Sequence, residues 1–117
     1  MAANNKEIIN RIVTGIGTMK KLAPKVAEGF LALDKAGVES GVLDVKTKEL
    51  IALGIGVAVR CDGCIAVHVN NALKAGAKPE QIGETLGVAV SMGGGPSMVY
   101  ATRALEALAE FTGKQAS

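Results

Sequence analysis

Residues 44–68 read DVKTKELIALGIGVAVRCDGCIAVH, and the fold turns on how they are taken. Asp44 has the side chain of a helix N-cap, and the run behind it is longer than an ordinary strand. Its β-branched residues and glycines would also suit a buried strand. The length, the cap and a first turn rich in lysine decide for a helix. Beyond Leu50 that helix is apolar on nearly every side, which places it at the centre of the fold. At Cys61 the pattern changes. Both cysteines and the only histidine fall within the eight residues from Cys61 to His68. Spacings of i, i+3 and i+7 put them on one face of a second helix, shared with Ile65, Ala72 and Ala75. Gly76 follows as its stop.

Working outward toward the N-terminus, residues 5–13 predict a short helix, interrupted at 14–18 where Gly15 and Gly17 fall. A further helical stretch runs to about residue 36, with Pro24 as its start or a kink. Leu22, Val26, Phe30 and Leu33 mark its apolar stripe, and residues 37–41 form a loop. Toward the C-terminus, Pro79 opens a helix whose first turn carries Glu80 and whose stripe is Ile82, Leu86, Ala89 and Val90. Gly93, Gly94 and Gly95 form a loop, and Pro96 opens a last helix ending near Phe111, with Met98, Ala101, Leu105 and Leu108 along one side. The expectation is all-α, a compact bundle of about five to six helices. A single domain is expected over 1–117, with its core at about 40–111.

Composition narrows the class. Hydrophobic residues make up 49% of the 117 and the mean hydropathy is +0.31, which excludes a disordered chain. Aromatics are only 3%, so the core must be built from Ala, Val, Leu, Ile and Met. Such a core favours tightly packed helices, with some apolar surface buried against other copies of the chain. The net charge of +2 comes from dispersed side chains, and Lys20-Lys21 is the only adjacent basic pair. Nucleic-acid binding is therefore not expected. Residues 50–59, the longest apolar stretch, are half the length of a membrane span, and the first ten residues lack the pattern of a signal peptide. A cytoplasmic protein that does not enter membranes is expected. In that compartment a lone CxxC is catalytic or metal-binding more often than a structural staple.

Chemistry concentrates on the CxxC–His face. Residues three apart on a helix lie within the Cα range a disulfide can bridge, so Cys61 and Cys64 can cycle between dithiol and disulfide. Unpaired N–H groups at the helix start favour a thiolate, as does the charge of Arg60. His68 lies one turn beyond Cys64, in reach of its proton. If the chain reverses near Arg60 and the two helices pack antiparallel, Glu49 and His68 differ in height by only about 4–5 Å at ~1.5 Å rise per residue. A Glu49–His68 proton relay could span that gap. Four rival readings stand beside this one. The two cysteines could be inert packing residues. Cys61, Cys64 and His68 could bind zinc with Glu49 as a fourth ligand, but structural sites usually draw ligands from loops, so no metal is expected. Gly54-Ile55-Gly56 and Gly93-Gly94-Gly95 fit no nucleotide fingerprint, read instead as close-packing and turn glycines, and imply no cofactor. Ser91 and Ser97 have no second histidine to complete a triad.

The arrangement of Glu49, Cys61-x-x-Cys64 and His68 resembles the alkylhydroperoxidase D-like branch of the carboxymuconolactone decarboxylase family. Residues 43–53 are similar to that family's first core helix, and residues 75–82 to its helix–turn–helix junction, so the likeness covers roughly 40–110. It implies an all-helical fold assembled as trimers or hexamers. It also implies an antioxidant oxidoreductase, a peroxidase acting on alkyl hydroperoxides through a redox-active disulfide. In that pattern Cys64 attacks the peroxide, Cys61 resolves the sulfenic acid, and Glu49 with His68 relays protons. An external dithiol of lipoyl or thioredoxin type restores the pair. The family's best-known hydroperoxidase carries a second histidine between the cysteines, where this chain has Gly63, so general disulfide reductase chemistry stays open. Physics at the helix terminus would make Cys61 the more acidic thiol. Two alternatives from other classes are the family's namesake lactone decarboxylation, which has no use for paired thiols, and a non-catalytic redox- or metal-responsive protein.

Overall fold

A computed structural model describes residues 4–114, all of whose regular structure is helical. Five helices follow in order: α1 (Asn5–Leu22), α2 (Pro24–Val38), α3 (Val45–Ala58), α4 (Asp62–Lys74) and α5 (Pro79–Thr112). Among the described residues no helix is long and apolar enough to cross a membrane.

Most boundaries follow from local chemistry. The Asp44 carboxylate accepts the Thr47 N–H at 2.8 Å and so caps α3 as expected. Hydrogen bonding from the Thr47 side chain, and then from its backbone N–H, holds the Asp44 carboxyl below the usual range. At the end of α3 the Cys61 N–H reaches the Gly56 carbonyl and the Arg60 N–H the Val57 carbonyl. That is a Schellman motif, and its left-handed residue is Arg60, at φ 60°, where glycine is usual. The same pair of bonds closes α4, from Ala77 to Ala72 and from Gly76 to Leu73, with Gly76 at φ 96°. Pro79 opens α5, and the Gln81 side chain accepts the Lys78 N–H at 2.9 Å.

The core belongs to α3, α4 and α5, which pack on one another. Leu53, Val57, Ile65, Val69 and Ile82 are fully buried there, with a row of alanines (Ala72, Ala101, Ala104, Ala107) letting the helices approach. The first two helices differ. No residue of α1 is buried, and in α2 only Ala27 is. The Cα radius of gyration, 14.5 Å, exceeds the ~13 Å of a compact chain this long, as two helices lying outside the core require.

Four expectations need correction. First, α1 runs unbroken through residues 14–18. A Cβ at Gly15 or Gly17 would meet nothing within 4 Å, so these glycines weaken an open helix without ending it. Second, Leu22, Val26, Phe30 and Leu33 do not face a core within the chain, being 54–79% exposed, and Leu22 belongs to α1. Third, α3 is central on one side only, since Ile51, Ile55 and Val59 are exposed. Fourth, residues 93–96 do not form a loop. Gly94 alone leaves helical geometry, at φ 69° and ψ −149°, and Pro96 starts the second arm of a kinked α5. No side chain but glycine's adopts that conformation without strain.

Candidate functional site

The site is built on the α3–α4 reversal, where only Val59, Arg60 and Cys61 separate the two helices. The Schellman motif fixes how sharply the chain turns. Cys61 is the last residue of that motif and also the N-cap of α4, with its sulfur accepting the Cys64 N–H at 3.1 Å. Cys61 and Cys64 are joined in a disulfide, with a Cα separation of 5.2 Å. Both are half-buried. Two glycines admit the neighbouring helices to the pair. A Cβ at Gly56 of α3 would lie 3.1 Å from the Cys64 Cβ, so that backbone lies directly against the second cysteine. A Cβ at Gly63, between the cysteines, would lie 2.9 Å from Ile12 Cδ1 of α1.

Two turns deeper, His68 Nδ1 lies 2.6 Å from Glu49 Oε1. The Glu49 side chain is 5% exposed and that of His68 17%, so the carboxylate is sealed behind the ring. A buried carboxylate is tolerable only with a partner, and the imidazole supplies it. With Glu49 ionised, Nδ1–H donates to it and Nε2 carries the free lone pair. Glu49 is therefore a buried and paired carboxylate. Its reach across to His68 realises the small height difference read from the sequence. Among the described residues no hydrogen bond joins the imidazole to either sulfur.

In front of His68 opens a cavity of about 490 Å³ between α2 and α3, lined by Leu33, Val38, Leu43, Ile51 and Ile55 among others. Its walls are mostly aliphatic, with Asp34 and Lys48 as charged residues in the lining. A larger set of contacts surrounds the start of α4. Arg103, on the second arm of α5, reaches Asp62 at 2.5 Å and lies over the Tyr100 ring at 4.2 Å from its centroid. On the same arm, Glu110 accepts the backbone N–H groups of Asn5 and Lys6, which anchors the start of α1. Neither contact was legible in the sequence, because each joins residues more than forty positions apart. Among the described residues no group of three or more His, Cys, Asp or Glu side chains is arranged to hold a metal ion.

Comparison with known proteins sets this geometry in context. The profile of the carboxymuconolactone decarboxylase family matches residues 24–107. The match thus begins at α2, earlier than residue 40, and leaves α1 outside. A crystal structure of a carboxymuconolactone decarboxylase family protein from Legionella pneumophila, in its apo form, superposes with a TM-score of 0.89. That protein is 45% identical, over 92% of this chain and 96% of its own. A Thermotoga maritima protein of the same family, described with a possible role in the antioxidative response, gives 0.82 at 31% identity over 90% of both chains. An uncharacterised protein of Cupriavidus necator is 34% identical over 90% of this chain and 93% of its own length.

Proposed function

The chain belongs to the carboxymuconolactone decarboxylase family, and on that premise we propose that it is a thiol-dependent peroxidase that cycles through the Cys61–Cys64 disulfide. One observation carries the reading: a bridgeable cysteine pair at a helix start, backed by a buried Glu49–His68 pair beside an apolar cavity. Lactone decarboxylation would use the cavity and the relay but not the two sulfurs. The possible part in the antioxidative response described for the Thermotoga relative, which shares the fold, supports the same direction.

In the reduced enzyme the Cys64 thiolate attacks the distal oxygen of a hydroperoxide. The S–O bond forms, the O–O bond breaks, and the alcohol leaves after taking a proton. Cys61 then attacks the sulfenic sulfur and expels water, which gives the disulfide. The sum is ROOH plus two thiols yielding ROH, water and one disulfide. An external dithiol, lipoyl or thioredoxin-like, reduces the bond by exchange. His68 accepts the thiol proton and returns it to the leaving oxygen, with Glu49 fixing the ring and balancing its charge. The aliphatic cavity suits an organic hydroperoxide better than hydrogen peroxide.

The exposed stripe of α1 and α2, together with Ile51 and Ile55, supports assembly into a homo-oligomer, a trimer or a hexamer. Light scattering reads its mass directly.

The test is peroxide consumption with dihydrolipoamide as donor. Cys61→Ser and Cys64→Ser should each abolish turnover, and His68→Ala should lower it by about 10²–10⁴. Wild-type protein that is fully reduced yet does not consume cumene hydroperoxide would defeat the proposal.

A further inference from the structure

We propose that Arg103 is a positioning residue that sets the acidity of the Cys61 thiol by neutralising Asp62, the residue between Cys61 and Gly63. The proposal rests on the cysteine pair working as a dithiol, but not on peroxide being its substrate.

Cys61 is the N-cap of α4, and once its disulfide is reduced the unpaired N–H groups of the first turn stabilise a thiolate there. Asp62 occupies the next position, and a carboxylate there opposes a second negative charge beside it. The chain meets this conflict from a distant element. Arg103 crosses from the second arm of α5 to hold Asp62 with one guanidinium nitrogen. Its plane is already supported, because Tyr100, one turn earlier, lies beneath it at 4.2 Å. Stacking restricts the rotamers of an otherwise flexible side chain, so the cation is present at the helix start without being ordered there anew.

The other charged groups around the helix start do not take this part. Arg60 precedes Cys61 and adds positive charge beside it, but it is exposed and makes no ion pair with Asp62. From α3, Glu49 is committed to His68, which lies on α4 itself. Glu106 lines the same hollow of about 350 Å³ as Asp62 and Arg103, and would add negative charge. The residues of α1 lining that hollow, Asn5 and Ile8, do not ionise.

Asp62 at the first turn of α4 also suits the helix dipole, and surface ion pairs often contribute only to packing. The two roles separate by sign. If the pair merely clamps α5 to α4, removing either partner has one and the same consequence. If Arg103 tunes the thiol, the two removals act in opposite directions.

The experiment follows the pH dependence of iodoacetamide alkylation of Cys61 in the reduced Cys64→Ser background, so that one thiol titrates. The midpoint is read in preference to the rate, since a more basic thiolate is also the better nucleophile. Arg103→Gln should raise the midpoint by about 0.3–0.7 units and Asp62→Asn should lower it by a similar amount. Arg103→Lys should restore most of the wild-type value, and the Asp62→Asn, Arg103→Gln double variant should return close to it. Shifts of the same sign, or no shift in the isosteric Asp62→Asn variant, would overturn the assignment. Because alkylation needs no turnover, an inactive peroxidase and a failed tuning role give different results.

Discussion

Residues 5–38 and residues 45–112 of this chain are both apolar enough to form a core, yet only the second does so. In α3, α4 and α5 the aliphatic side chains meet one another, and Leu53, Val57 and Val69 lose all contact with solvent. In α1 and α2 a stripe of equal quality, from Leu22 through Phe30 to Leu33, lies open. Periodicity alone does not distinguish them. An amphipathic stripe states that a face is to be covered, without stating by what. What holds α1 to the core is polar at its start, through Glu110, and aliphatic along one side, where the half-buried Ile12 approaches Gly63. The lesson is that the reactive groups stand on the buried helices, while the helices beside them keep an apolar face open.

Core truncation draws this contrast most sharply. Leu53→Ala should cost about 3–4 kcal/mol in urea denaturation, the range for a fully buried leucine. Leu33→Ala, measured in protein dilute enough to be monomeric, should stay within about 0.5 kcal/mol. Equal costs would mean that the stripe is covered as thoroughly as the core. Within the rigid region, Glu49→Ala leaves the His68 Nδ1 without its partner and should cost about 2 kcal/mol by thermal denaturation. A neutral result would remove the structural weight placed on this pair.

At the loose end, Glu110→Gln should destabilise by about 1 kcal/mol, with the loss confined to α1 as read by hydrogen exchange. Burial pushes the Glu110 carboxyl up, but the N–H groups of Asn5 and Lys6 outweigh that and hold it below its ordinary value near 4.5. A carboxylate whose folded value is depressed contributes fully above the ordinary value. That contribution disappears as pH falls through the lower folded value. Protection of α1 should therefore drop below about pH 4.5 in the wild type and stay flat with pH in Glu110→Gln. The smallest effect belongs to Gly15→Ala, which should stabilise by about 0.5 kcal/mol, since nothing lies within 4 Å of the added methyl. Destabilisation there would show that another surface packs on that side of α1.

The sequence read alone was enough for the helical class, the Asp44 cap, the Gly76 stop, the start at Pro79, and the helix that carries Cys64 and His68. All of these depend on interactions within a few residues, and local spacing records them. It was also enough to make a Glu49–His68 encounter geometrically feasible, because one tight turn separates the two helices. Local rules failed at Gly15 and Gly17, where helix propensity is a weak preference that anchors elsewhere override. Burial of Glu49, the approach of Gly56 to Cys64 and of Ile12 to Gly63, and the Asp62–Arg103–Tyr100 arrangement were decided by the tertiary structure. Each depends on which helix faces which. That choice comes from the summed burial of three helices against one another, a quantity no single stretch of the chain contains.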